Sequence, residues 1–568
     1  MQLEKPKRKF VDKNFSITTW DDVNQYYQDL LNRSIDSKKE FKKWLEDRSE
    51  MEAVLAENFA WRYIQMTIDT RDEKLKEDYM FFVREIQPRL SPLENDLNIK
   101  LAASPFKKDF KKEAYQIYFR AIESALQLFR KENIPLHTEI AEKSQEFSSI
   151  SGAQSIEHEG KELTMQAAAM FLKETDESLR KTIFEKTTRR RLKDVAVLNN
   201  LFSTLIALRH KVALNAGFDD FRDYKFVELG RFDYAKEDCF DFHESIKESF
   251  VPLIKKIQEK RKKLLTKEVL KPWDNEVDPL GRKPLRPFKN ESELLTKTIR
   301  IFDKVDPYFA ECLSKMDEIK HLDLASKPGK SPGGYNYPLY ETGVPFIFMN
   351  AVGSHRDLVT MIHEGGHAVH SFLSRDLSLT AFKSLPSEVA ELASMSMELM
   401  TMEHWSEFYS NKEDFKRAKQ EQLETILMIL PWVATIDKFQ HWVYENPNHS
   451  VEERHSNWNR IQSSFSSNLV DWAGYENAKD TIWQRQLHLF EVPFYYIEYG
   501  MAQLGAIAIW KNYTENPTQT LKNFKNALSL GYTKSIPEIY EIAGVKFDFS
   551  KENVSALAEF IQSQLDEL

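Results

Sequence analysis

The sequence predicts a mainly helical protein with one small β-sheet, and three observations carry that prediction. Only 17 glycines and 21 prolines interrupt 568 residues, which leaves room for long helices. Apolar side chains recur at steps of three and four over long stretches, the helical period. Strand signals are confined to roughly residues 335–350. A chain of this length exceeds one simple core, so two or more lobes, or a large helical array, are expected.

Taken in order, "KKEAYQIYFRAIESALQLFRKEN" aligns Tyr115, Tyr118, Ile122, Leu126 and Phe129 as one apolar stripe of a helix. "TMQAAAMFLKETDESLRKTIFEKTTRRRLKDVAVLNNLFSTLIALRHKVAL" reads as at least two long helices, with Thr175 and Asp176 as the cap between them. Its basic run, Arg189 to Arg191, reads as a solvated helix face. "KPWDNEVDPLGRKPLRPF" holds Pro272, Pro279, Pro284 and Pro287 and must be an irregular connection. A second break spans Ser326–Pro338. It is followed by "GVPFIFMN", too short and aromatic for a helix and suited to a strand. No repeat of fixed period is present.

Charge and composition narrow the partners. A net charge of −9 offers no basic excess to neutralise phosphates, so a nucleic-acid partner is not expected. No apolar run approaches the roughly 20 residues that span a bilayer, so no membrane partner is expected either. The first residues, "MQLEKPKRKFVDKNF", are basic without an apolar stretch behind them, which is not a leader pattern. With Cys239 and Cys312 as the only cysteines, a disulfide framework is excluded. A reducing compartment, the cytoplasm, is the expected setting.

The chemistry gathers in "TMIHEGGHAVHSF". His363 and His367 lie four apart, so on a helix both imidazoles can face one ion. Glu364 sits about 100° further round, where it can reach a metal-held water without displacing a histidine. Catalytic zinc usually takes three protein ligands and leaves a fourth position open. His370 is one candidate, but the His-Glu-x-x-His-x-x-Gly-x-x-His pattern fails, with His370 at the glycine position and Leu373 at the last. The thermolysin-type spacing falls on Pro386 and Ser387. In "LPSEVAELASMSMELM", Glu388, Glu391 and Glu398 recur at helical spacing on an otherwise apolar helix. Buried carboxylates need a partner, and a metal would be one. His355, His404, His441, His449 and His455 lack a helical partner at ligand spacing and read as structural or exposed.

"GGYNYPLYETGVPFIFMNAVGSHRDLVTMIHEGGHAVHSF", followed by "EVAELASMSMEL", resembles the oligoendopeptidase F branch of the thimet oligopeptidase family of zinc metallopeptidases. The likeness extends through "RHKVALNAGFDDFRDY" upstream and "HLFEVPFYYIEYGMAQLGA" downstream. It covers roughly residues 200–510 well and the first 200 loosely. It implies one zinc per chain, held by His363, His367 and Glu391, with Glu364 as general base. It further implies that His488, Tyr496 and Tyr499, on a flexible segment, stabilise the oxyanion of a peptide undergoing hydrolysis or position the substrate. Residues 1–200 would form an N-terminal helical region and 201–568 the catalytic domain, with two lobes around a deep substrate channel. The implied activity is endopeptidase cleavage of short, unstructured oligopeptides. A metallocarboxypeptidase and a non-enzymatic peptide-binding scaffold are the alternatives, and the intact Glu364 argues against the scaffold. Two departures stand out: Gly365 where the family commonly has an aromatic residue, and a His488-to-tyrosine spacing about one residue shorter than in thimet oligopeptidase. From its residues alone, "GVPFIFMN" could also serve as an edge strand for an extended peptide. The oligomeric state is left open.

Overall fold

The computed structural model describes residues 7–327, 329–331 and 333–568. The first six residues of the N-terminal stretch, and Pro328 and Pro332 of the second break, lie outside those described. Helices dominate, the longest being Lys38–Ile68 and Lys412–Glu445. No helix of the described residues is long and apolar enough to cross a membrane.

The cap at Asp176 is present: its side chain accepts from Ser178 N and Leu179 N and opens the helix Glu177–Leu192. The long helices both follow it, since Val195–Asn215 comes next. Only the short helix Met165–Met170 and one further turn precede the cap. Immediately before lies a hairpin that carries no strong sequence signal, Ser155–His158 paired antiparallel with Lys161–Thr164. Its two-residue turn places Glu159 at φ 52° and Gly160 at φ 72°. Glutamate in place of the usual asparagine or aspartate hides such a turn.

The second sheet lies where strands are expected, with Leu322–Ala325 added. Its order puts Phe346–Ala351 in the centre, parallel to Leu322–Ala325 and antiparallel to Tyr335–Tyr337. The segment "GVPFIFMN" is therefore not an edge strand. Both of its sides are paired, so its backbone has no ladder left for a peptide, and Tyr335–Tyr337 holds an edge instead.

The chain divides into two compact units, each assembled from three stretches. The first comprises residues 1–127, 286–418 and 502–547, and the second 128–285, 419–501 and 548–568. The first unit contains the three-stranded sheet, the motif helix His355–Ser374 and the carboxylate helix Ser387–Thr401. Twelve of the fifteen residues of the carboxylate helix are buried, including Glu388, Glu391 and Glu398. The second unit is built around Phe202, Phe439, Trp458, Trp483 and Phe490, all fully enclosed. The irregular proline-rich connection belongs to it as far as Leu285 and buries Trp273 and Asp274, the latter held 3.0 Å from Arg180.

Candidate active site

The motif helix starts where its cap dictates. Ser354 accepts from Asp357 N, while Asp357 Oδ2 accepts from Ser354 N and Val352 N. Asp357 is thereby committed to the helix end. Nine residues after Ser354, the helix carries His363 and, one turn later, His367 on one face, their rings 4.8 Å apart. That face meets the carboxylate helix. Glu391 Oε2 lies 3.3 Å from His363 Nε2 and 3.7 Å from His367 Nε2. Ligand atoms of these three residues all fall within 4.8 Å of one another.

Gly366 makes that approach possible. A Cβ on Gly366 would come within 2.7 Å of Ser394 Cα and 3.1 Å of Ala393 O, so the backbones of the two helices touch there. A Cβ on Gly365 would instead meet the Phe302 ring at 2.7 and 2.9 Å. This explains the departure at Gly365: the ring of Phe302 occupies the volume that a side chain there would need.

The surrounding groups hold the ligands in place. Glu398 Oε1 lies 2.6 Å from His363 Nδ1, which turns Nε2 toward Glu391. Ser394 Oγ donates to Glu391 Oε2 at 3.1 Å. Asn336, on the edge strand, donates to the Glu364 backbone carbonyl at 3.1 Å and ties the sheet to the motif helix. Glu388 is outside the ligand cluster, and its backbone carbonyl accepts from Tyr540 OH. His370 is also outside it.

Electrostatics follow from burial. Desolvation pushes the Glu364 carboxyl up to about 7, with Glu391 and Glu398 adding to it and His363 opposing. Burial pushes His367 down to about 4, so it stays neutral. At His363, burial is overcome by Glu391 and Glu398, which raise it well above 6.5. A proton on His363 and a cation in the cluster are alternative ways of satisfying these carboxylates. The donor set fits zinc. Bonds of about 2.0–2.1 Å in a tetrahedron separate ligand atoms by roughly 3.3 Å. The observed 3.3 and 3.7 Å are close to that.

In the second unit the structure brings together His488, Tyr495, Tyr496 and Tyr499. Ring centroids lie 4.6 Å apart for His488 and Tyr496, 5.9 Å for His488 and Tyr499, and 5.6 Å for the two tyrosines. Burial lowers the His488 imidazole to about 4. Gln486 Nε2 donates to His488 Nδ1 at 2.7 Å, and Trp432 Nε1 donates to Gln486 Oε1 at 3.0 Å. This relay leaves the proton of the neutral ring on Nε2. Gln486 has no sequence signal beyond its closeness to His488, and Trp432, far away in sequence, has none. The backbone of the segment is anchored from behind. Arg209 donates to Leu489 O at 3.0 Å and also to Phe490 O. Arg231 donates to Phe494 O and, at 2.9 Å, to Glu498. Phe494 N donates to Gln440 Oε1 at 2.6 Å, and Phe494 itself adopts φ 66°.

Comparison with known proteins gives a consistent result. Residues 170–559 match the model of peptidase family M3, and residues 10–129 match the peptidase M3 N-terminal domain. An oligoendopeptidase F homologue of Borreliella burgdorferi is 22% identical over 72% of this chain and 68% of its own. Across the curated relatives the matched stretch covers from 24% to 68% of their length. A solved structure, PZ peptidase A with an inhibitor, is similar over 99% of both chains, with TM-score 0.90 and 26% identity. The fold is shared with an oligoendopeptidase F of Enterococcus faecium at TM-score 0.66 and 16% identity, over 96% of this chain and 97% of that one.

Proposed function

Since this chain belongs to peptidase family M3, we propose that it is a zinc-dependent endopeptidase that cleaves internal bonds of short, unstructured peptides. The observation that carries this reading is the convergence of His363, His367 and Glu391 with Glu364 on the next position of the same helix. His363, His367 and Glu391 would hold one catalytic zinc. When bound, zinc supplies a Lewis acid that acidifies water and polarises the peptide carbonyl.

Everything else falls to the chain's own residues. Glu364 takes a proton from the attacking water and returns it to the leaving amine. Burial raises this carboxyl and a cation beside it lowers it, opposing influences that let it accept the proton and give it back. Glu398 fixes the His363 tautomer through Nδ1. His488, with its proton on Nε2, and the hydroxyls of Tyr496 and Tyr499 donate to the carbonyl oxygen as negative charge develops on it. Gln486 positions His488. The catalytic machinery belongs to the region 201–568, with 1–200 as an N-terminal helical region. Two cysteines, neither in a disulfide, suit a cytoplasmic setting.

The test is mass spectrometry of products from end-blocked and free peptides, with and without chelator. Internal cleavage of end-blocked peptides, abolished by chelator, is the expected outcome. Release of single C-terminal residues from free peptides alone would make the protein a carboxypeptidase. Binding without cleavage would make it a scaffold.

A further inference from the structure

The second unit contains another set of metal-ligating side chains, and it shares no residue with the candidate active site. Cys239 and His243 lie one turn apart on the helix Lys236–Ser249, and Asp437 and His441 lie one turn apart on Lys412–Glu445. Ligand atoms of Cys239, Asp437 and His441 fall within 4.8 Å of one another. All four residues are at most 2% exposed. His243 Nε2 lies 2.8 Å from Asp437 Oδ2 in hydrogen-bonding geometry. His441 Nε2 is 3.2 Å from the same oxygen without such geometry. Asp437 Oδ1 and both ring nitrogens of His441 have no hydrogen-bond partner among the described residues. The rings of Phe226, Phe240 and Phe494 pack edge-on around His441 and keep the cluster dry.

A buried carboxylate oxygen and two imidazole nitrogens without partners are costly, and a native core rarely keeps them together without a reason. One reason would be a charge network in which a histidine is protonated. That leaves Asp437 Oδ1 and His441 Nδ1 without a hydrogen-bond partner among the described residues. A divalent cation accounts for every group at once. Thiolate and carboxylate neutralise its two charges, neutral His441 completes a set of S, O and N donors, and His243 orients Asp437 from outside. The thiol proton leaves on binding.

We propose that Cys239, Asp437 and His441 bind a second, structural divalent cation of the zinc class in the core of the second unit, with His243 positioning Asp437. The donors are borderline-soft, which selects zinc or cobalt over magnesium or calcium. Burial implies that the ion enters during folding and resists chelators in the native state.

Elemental analysis decides this. Purified protein should contain about two zinc equivalents per chain, and brief chelator treatment should remove only one. The double variant His363→Ala/His367→Ala should keep about one, and adding Cys239→Ser should remove that as well. Protein refolded with cobalt should show a thiolate-to-cobalt charge-transfer band, which the active-site donors cannot produce because they include no sulfur. This spectrum needs no substitution at Cys239, so a folding failure of that variant leaves the test intact. A folded His363→Ala/His367→Ala protein without metal, or cobalt protein without the thiolate band, would overturn the proposal and leave the peptidase reading untouched.

Discussion

Adding one methyl group at Gly366 tests how the candidate metal centre is held. In Gly366→Ala the new Cβ would stand 2.7 Å from Ser394 Cα and 3.1 Å from Ala393 O. Ordinary carbon contacts are about 3.5–4.0 Å, so the two helices must part by roughly 1 Å. Neither obstacle is a rotatable side chain. Glu391 lies one turn before Ser394, and His367 follows Gly366 directly, so the separation falls on the ligand set itself. Metal bonds tolerate only about 0.2 Å. Metal affinity should fall on the order of 10- to 100-fold, as when groups that hold ligands in place are removed. Stability should change less. Alanine gains up to about 1 kcal/mol in helix propensity. Overpacking costs about 1–3 kcal/mol, leaving a net loss of roughly 0–2 kcal/mol. Gly365→Ala is the control, because its methyl meets the Phe302 ring, away from the ligands. It should cost stability and leave metal affinity within about twofold. Competition with a chromophoric chelator measures affinity, and urea unfolding measures stability. Wild-type affinity in Gly366→Ala, or an equal loss in both variants, would refute the proposed role of this contact.

Glu364→Gln should retain its metal and lose about 10²- to 10⁴-fold in kcat, measured by turnover beside elemental analysis. Glu391→Ala should lose metal while Glu388→Ala keeps it, as a zinc titration of each would show. Tyr499→Phe should lower kcat on the order of a hundredfold with little change in KM. A pH prediction follows from His488. Its folded imidazole titrates near pH 4, whereas the unfolded one titrates near about 6.5. Between those values the unfolded chain binds the extra proton, so this residue makes stability fall as pH drops from 6.5 to 4. His488→Gln should therefore flatten the acid side of a plot of urea midpoint against pH.

The motif helix was legible because i and i+4 histidines on an apolar helix need nothing beyond the local period. The sheet beside it was legible from a short aromatic run, but not the order of its strands, because strand order is a long-range property. For that reason "GVPFIFMN" looked like a possible edge and lies in the centre. Sequence alone offers both Glu398 and Asp357 to orient a ligand histidine and does not choose between them. Only the cap at Ser354 and the 2.6 Å contact to His363 separate them. Gly365 had no local explanation, since what it makes room for, Phe302, is distant in sequence; Gly366 reads as a site of close backbone packing, and only the fold supplies its partner, Ser394. The Asp437–His441 pair was illegible for a different reason: the residue one turn before His441 is an aspartate and not a second histidine, a spacing common on solvated helices.

The anchored backbone behind His488 has a consequence for how this enzyme can vary. Leu489, Phe490 and Phe494 are gripped through their carbonyls by two buried arginines, and Phe494 sits in a left-handed conformation held by Gln440. These grips ignore side-chain identity and fix the number of residues between them. A substitution at Tyr495, which is not one of the proposed donors, can reshape the cluster without the backbone following. An insertion or deletion between 490 and 494 cannot do so without releasing an arginine into the core. Side chains that are not proposed donors are thus free to drift, while the length of the segment is locked.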